Sequence, residues 1–299
     1  MWVGVAFLSA LMLGLYDVAK KRSLTGNAVV AVLWFNTLIS TLIFLPVVLD
    51  AELSLGVLDG SMLSYEPAEL SSHLLVAIKA VITLSSWICG YYAMKHLPLS
   101  VVGPVNATRP VVVLIGAVLI FGERLNLWQW AGVIVAILSL YLLSRSSKKE
   151  NVSFTSIHAI AMFAAMLLGA ASGLYDKYII WQHSLDPLFV QSWFSIYQLA
   201  IMSVIALVIW YPRRGSDKFR WSWAIPLISI FVSLADFCYY HAISMDGSMI
   251  AVISMIRRFS VVVSFVCAAL IFKEKNIKSK AIDIALILIG MVLLAIGSV

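Results

Sequence analysis

Ten stretches of roughly 20 mostly apolar residues occupy nearly all of this 299-residue chain, and very little sequence is left between them. They fall at about 2–19, 29–49, 73–94, 99–121, 127–144, 154–180, 187–211, 222–244, 248–272 and 277–298. A helix that rises about 1.5 Å per residue needs about 20 residues to cross the hydrocarbon of a bilayer, so each stretch has the length of a span. Hydrophobic residues make up 62% of the chain and charged residues 12%, against roughly 45–50% and about 25% in a soluble domain. Closed barrels also span membranes, but their strands alternate apolar and polar residues, which these runs do not. The expected fold is an all-α integral membrane protein with ten transmembrane helices.

The first stretch has no basic residue ahead of it, and Lys20-Lys21-Arg22 follows it, so it reads as a retained helix rather than a cleaved signal. Cys89, Cys238 and Cys267 are isolated in apolar runs without metal-ligand spacing, which suits buried inert thiols. The net charge of +6 is informative through its distribution. Fifteen Lys and Arg residues, from Lys20 to Lys280, fall in or beside the connections 1–2, 3–4, 5–6, 7–8 and 9–10, whereas the opposite face has Arg124 alone. Basic residues near helix ends stay in the cytoplasm. This predicts a multi-pass protein of the bacterial inner membrane with both termini extracytoplasmic, and with the acidic 50–72 connection outside. The basic residues thus mark orientation, and no basic stripe on a soluble module suggests a nucleic-acid partner.

The chain also repeats itself. Gly14-Leu15-Tyr16-Asp17 returns as Gly173-Leu174-Tyr175-Asp176, and Trp34-Phe35 as Trp193-Phe194, each displaced by 159 positions. Later, Cys89, Ala93 and Arg109 match Cys238, Ala242 and Arg258 at 149, while Leu119-Ile120-Phe121 and Glu123 match Leu270-Ile271-Phe272 and Glu274 at 151. Two copies of five helices follow, 1–146 and 147–299. Because five is odd, the second copy crosses in the opposite sense. Inverted repeats of this kind enclose a midplane site in secondary transporters.

Ala93-Met94-Lys95, a proline-containing helix, Leu119-Ile120-Phe121-Gly122-Glu123-Arg124-Leu125 and then Gly132 together resemble the closing portion of an EamA repeat of the drug/metabolite transporter (DMT) superfamily. Ala242-Ile243-Ser244 and Leu270-Ile271-Phe272-Lys273-Glu274-Lys275 repeat the pattern, with Asp283 standing where the counterpart of Gly132 is expected. The resemblance covers essentially the whole chain. It implies a ten-helix carrier whose cavity is lined mainly by helices 1, 3, 4, 6, 8 and 9, and it leaves the substrate open among amino acids, sugar phosphates and nucleotide sugars.

Charge narrows the cargo. Lys79, Arg109, Lys177, Arg257 and Arg258 fall inside helices, where a charged residue costs about 2.5–3.5 kcal/mol on insertion scales and normally faces protein or a watery cavity. Arg109 and Arg258 are repeat equivalents, each about ten residues, or about 15 Å, into its helix, which is the midplane. With Arg257 beside one of them, they suit a carboxylate or, better, a phosphate held bidentately. The competing reading is that the arginines staple helices through internal carboxylates. Asp17, one turn from Lys21, reads as an interfacial pair; Asp176 is expected near the outer end of helix 6 beside Lys177; and only Asp236, on helix 8, looks deep enough to meet a midplane arginine. Adjacent helical residues diverge by about 100°, so Arg257 and Arg258 share a cavity only if it is wide.

Gly103, Asn106 and Pro110 share one face of helix 4, as Ala251, Ser254 and Arg258 do on helix 9. Pro110 frees the carbonyl of Asn106 and favours a kink beside Arg109. A basic residue on helix 4 and a dibasic pair on helix 9 is similar to the way the plastid phosphate translocators, a branch of the same superfamily, hold phosphate, although arginine replaces the expected lysine at two of the positions. Lys79 could line the entrance of the cavity. Tyr91, Tyr92, Tyr239 and Tyr240 could stack on a substrate or sit in an interfacial belt. His241 could be a proton-sensitive coupling residue or a structural one. Trp128, Trp130, Trp181, Trp210, Trp221 and Trp223 cluster near helix ends, as anchors do.

No zinc-helix motif, paired aspartates, glycine-rich phosphate loop or nucleophile elbow is present, so no catalytic, metal-binding or cofactor-binding residue is assigned and an enzyme is the least favoured reading. A lipid-linked flippase would use the same fold with a cavity open sideways to lipid, and an exporter of amino acids is a further alternative. The favoured reading is an alternating-access carrier of a small organic anion, with a proton or counter-substrate as possible partner. Its substrate-binding set is Arg109, Arg258, Arg257, Lys79, Asn106, Tyr240, Ser254 and Asp236.

Overall fold

A computed structural model describes residues 1–24, 26–96, 99–145 and 157–260, together with scattered positions between 262 and 297. The described helices are α1 (Trp2–Leu24), α2 (Val29–Glu52), α3 (Leu70–His96), α4 (Leu99–Phe121), α5 (Leu127–Arg145), α6 (Ile157–Lys177), α7 (Pro187–Ile205), α8 (Ala224–Ser244) and α9 (Ile250–Ile256). No strand occurs among the described residues. Six segments of the described residues are long and apolar enough to cross a membrane: Trp2–Leu24, Val29–Glu52, Leu70–Gly90, Ile157–Gln182, Pro187–Arg213 and Ala224–Ser244. α4 spans 23 residues, and its stretch Arg109–Phe121 is a further apolar segment among the described residues. The expected tenth helix, with Asp283, lies largely outside the described residues, as do Glu274 and the side chains of Tyr91, Tyr92 and Asn106.

Local chemistry sets several helix ends. Asp186 precedes Pro187 and accepts from the amides of Leu188 (2.7 Å) and Phe189 (3.2 Å), so a capping carboxylate and an N-terminal proline start α7 together. Asp50 accepts from the amides of Val57 (2.8 Å) and Leu58 (3.1 Å) and folds the acidic connection back onto the end of α2. Continuations of altered pitch extend three helices: π-helical at Tyr178–Gln182 and Ala206–Trp210, and 3-10 at Arg257–Phe259. The assignment of α4 runs unbroken through Pro110.

The helices pack as α1 on α8, α3 on α6, α2 on α7, α4 on α6 and α1 on α9 and its 3-10 continuation. Lipid tails are as apolar as leucine, so close backbone approach and hydrogen bonds must hold such contacts. Ala6, Ala10, Ala80, Ala170 and Ala235 are almost completely buried. The Ser9 hydroxyl donates to the carbonyl of Ala235 across α1 and α8 (2.6 Å), and Ser86 donates to Ala165 across α3 and α6 (2.7 Å). Leu8, Leu42, Ile78 and Ile115 point outward, as lipid-facing residues must.

The equivalent glycines Gly14 and Gly173 have different surroundings. A methyl group on Gly14 would lie 2.5 Å from the Val263 Cβ and 2.9 Å from the Ser260 carbonyl oxygen. On Gly173 its nearest neighbour would be the Tyr239 hydroxyl, at 3.7 Å.

Candidate functional site: a cationic central cavity

A cavity of about 240 Å³ lies among α1, α3, α4, α6, α8 and α9, with Phe194 contributed by α7. Seven of the eight expected binding residues line it: Lys79, Arg109, Asp236, Tyr240, Ser254, Arg257 and Arg258. The eighth, Asn106, has its side chain outside the described residues. The four cations come from the consecutive helices α3 and α4 and from the continuation of α9 in the other half of the chain, so the packing of these helices around α6 and α8 brings them together.

Their partners differ. Lys79 is buried, with its ammonium 2.5 Å from Asp176 Oδ1, 4.2 Å from the centre of the Phe194 ring and 5.1 Å from that of Tyr240. Lys79 therefore belongs to the wall of the cavity rather than its entrance. Asp176, expected at the end of helix 6, also lines the cavity and accepts a hydrogen bond from the Tyr239 hydroxyl (3.1 Å). It stands one residue before the end of α6, and the π-helical turn carries the segment on to Gln182.

Lys177, the next residue, points elsewhere. Its ammonium binds Glu123 Oε1 (2.6 Å) and the Ser248 carbonyl (3.0 Å). Glu123 also accepts from the first amides of α9, those of Ile250 (2.7 Å) and Ala251 (3.2 Å). Lys177 is thus a structural cation, outside the cavity lining.

Arg257 and Arg258 both line the cavity despite their angular separation. Arg257 donates from Nη2 to Asp236 Oδ1 (2.9 Å) and lies 4.1 Å above the Tyr239 ring. Arg258 makes no hydrogen bond or ion pair among the described residues, and its Nε is buried without a partner. The charges acting on it are repulsion from Arg109 and Arg257 and attraction from Asp17. The Asp17 carboxylate feels Lys20 most strongly, then Arg258 and Arg257, so it faces inward as well as toward the helix end.

Arg109 donates from Nη2 to the Gly169 carbonyl at 2.5 Å. Its guanidinium lies against the bare backbone of Gly169, where a Cβ would stand 2.7 Å from Cζ, 2.9 Å from Nη1 and 3.0 Å from Nε. Gly169→Ala is therefore expected to keep the fold but push Arg109 from its seat. A hydrogen bond to a charged group is worth about 1.5–3 kcal/mol, so the variant should lose stability by about that amount. Denaturant unfolding of the variant checks this, and unchanged stability would mean that the bond to the Gly169 carbonyl contributes nothing.

Two carboxylates, Asp176 and Asp236, thus face four cations on the wall of the cavity. Thr83, Ser172, Trp87 and Tyr16 complete its polar and aromatic lining. Sequence reasoning missed Asp176 and the hydroxyls of Thr83 and Ser172, which contact one another at 2.8 Å. His241 was the other candidate raised by the sequence. It stacks on Phe237 and lines a separate hollow with Ser61, Ser64 and Asp186.

Fold and cavity define a multi-pass helical membrane protein with a polar, cation-lined centre. Residues 1–145 match the model of the EamA-like transporter family, which marks this part of the chain as belonging to that family of membrane transporters. No curated relative matches the sequence. The fold is shared with a crystal structure described only as that of a protein, with a TM-score of 0.72 over 98% of this chain and 95% of the other, at 14% identity. At that identity the likeness is one of fold.

Proposed function

We propose that the protein is a secondary active transporter that carries a small organic anion, a phosphorylated metabolite before a carboxylate, by alternating access between two inverted five-helix halves, 1–146 and 147–299. The observation that carries this reading is the imbalance of charge at the cavity: Asp176 and Asp236 are matched to Lys79 and Arg257, while Arg109 has one carbonyl and Arg258 has no partner among the described residues. A buried cation without a counter-charge is costly, and a bound oxyanion supplies what the protein withholds. The three arginines keep some accessible surface, which lets an incoming anion reach them.

Packing supports the inverted halves. Exchanging helices 1 with 6, 3 with 8 and 4 with 9 converts the α1–α8 contact into α6–α3, and the α4–α6 contact into α9–α1, and all four contacts are present. The bias of Lys and Arg along the chain supports a cytoplasmic-membrane location with both termini outside.

Thermal unfolding of the purified protein against anionic metabolites tests the reading. A ligand of the native state at about 100 times its Kd stabilises by about 2.7 kcal/mol, and the strongest stabiliser should be taken up by proteoliposomes. If cationic or neutral solutes stabilise the protein and anions do not, the reading fails.

A further inference from the structure

Beside the cationic cavity is a smaller chamber that contains no cation. Its lining includes Asn36 and Ser40 of α2, Gln191, Ser195 and Gln198 of α7, and Ser233 of α8. It shares Trp87, Phe194, Val232 and Asp236 with the cationic cavity, so the two are separated only by a common wall. Its free volume, about 30 Å³, admits one group the size of a hydroxyl.

The hydrogen bonds here are incomplete in a specific way. Gln191 Nε2 donates to the Ser233 carbonyl (2.7 Å), and the Ser195 hydroxyl to the Ser192 carbonyl (2.7 Å). Ser229 donates to Asn36 Oδ1 (3.0 Å), and Ser233 contacts Ser40 at 3.4 Å. Left over are Gln191 Oε1 and Gln198 Nε2, an acceptor and a donor on side chains that are 3% and 6% exposed as residues. Gln191, Phe194, Ser195 and Gln198 lie at i, i+3, i+4 and i+7, on one face of α7. An unpaired buried amide group costs about 1–3 kcal/mol, and at bilayer depth bulk water does not relieve it.

We infer that this chamber is the subsite for an uncharged, hydroxyl-bearing arm of the transported anion, with Gln198 and Gln191 as its hydrogen-bonding residues. The inference rests on the anion reading above and deepens it: the substrate class is a phosphate ester whose organic part carries hydroxyl groups. The arginines hold the phosphoryl end, and a hydroxyl of the arm crosses the shared wall at Asp236 and Phe194. A site built to pair a hydroxyl discriminates against the analogue lacking it, because that analogue leaves the buried amide unpaired.

The test compares three probes on the full chain in lipid nanodiscs: inorganic phosphate, glycerol 3-phosphate and n-propyl phosphate, the last having the size of the second without its hydroxyls. The wild type should bind glycerol 3-phosphate about tenfold more tightly than propyl phosphate, the expected discrimination for one well-paired hydroxyl, and Gln198→Met should bring that ratio close to one. Equal affinities for the two esters in the wild type, or an unchanged ratio in a folded Gln198→Met or Gln191→Met variant, overturns the inference and leaves the chamber to ordered water. Equal wild-type affinities overturn the inference even if neither variant folds. Failure of all three probes to bind would instead bring down the anion reading, and the subsite with it.

Discussion

Arg258→Ala is expected to abolish anion uptake by proteoliposomes while leaving the melting temperature unchanged or raised. Arg258 has no hydrogen bond or ion pair to lose among the described residues, and the repulsion from Arg109 and from Arg257 each exceeds the attraction of Asp17. Removing it therefore relieves a desolvated charge. The transported anion would lose a bidentate guanidinium contact worth about 3 kcal/mol, or about 100-fold in affinity. Arg257→Ala gives the contrast, because it strands Asp236. That pair is partly open, at 17% and 25% side-chain exposure, so the loss of stability should fall below the about 3–5 kcal/mol typical of breaking a fully buried pair. Uptake and melting curves on the two variants separate binding from stapling. If Arg258→Ala lowers the melting temperature as much as Arg257→Ala, Arg258 is a staple.

Glu123→Ala should produce the largest loss of stability. The carboxylate sits between Lys177 and the first amides of α9, and the Lys177 and Glu123 side chains are only 9% and 5% exposed. Alanine would leave two amides unpaired and the ammonium without its counter-charge, left with its hydrogen bond to the Ser248 carbonyl, at a cost of up to about 3–5 kcal/mol for the stranded charge. Glu123→Gln keeps an acceptor for the amides and should cost less. Adding Lys177→Met to Glu123→Ala should recover much of the loss, because the double variant buries no unpaired charge. Denaturant unfolding of both single variants and the double variant measures this coupling, and strictly additive losses would show that the pair contributes nothing as a pair.

The length of the apolar runs made the helices legible, because hydrocarbon leaves a spanning chain few alternatives. The described helices start close to the expected positions; α1 continues through Lys20-Lys21-Arg22 to Leu24, the α-helical part of α7 stops at Ile205, and the far end of the expected helix 9 lies largely outside the described residues. The cost of charge at bilayer depth also marked Lys79, Arg109, Arg257 and Arg258, which the structure gathers on one cavity. Their pairing was not legible. Lys79 meets Asp176 across 97 positions of sequence, and no local pattern announces that contact. Asp176 was expected near the outer end of helix 6 beside Lys177, a position that does not reveal its direction; successive residues of a helix face about 100° apart, and the two side chains meet different partners. Gln191, Ser195 and Gln198 had readable spacing, but small and polar residues also favour ordinary helix contacts, and only the unpaired amide atoms distinguish the two uses.

Gly14 and Gly173 are related by the repeat, yet one is crowded and the other is open. Under the alternating access proposed above, such a mismatch is what one end of a stroke would show, rather than its midpoint. Bulk added at residue 14 would weight the ensemble toward the opposite end, whereas the same bulk at residue 173 would act on the return. The two glycines thus offer separate handles on the resting pose and on its mirror image.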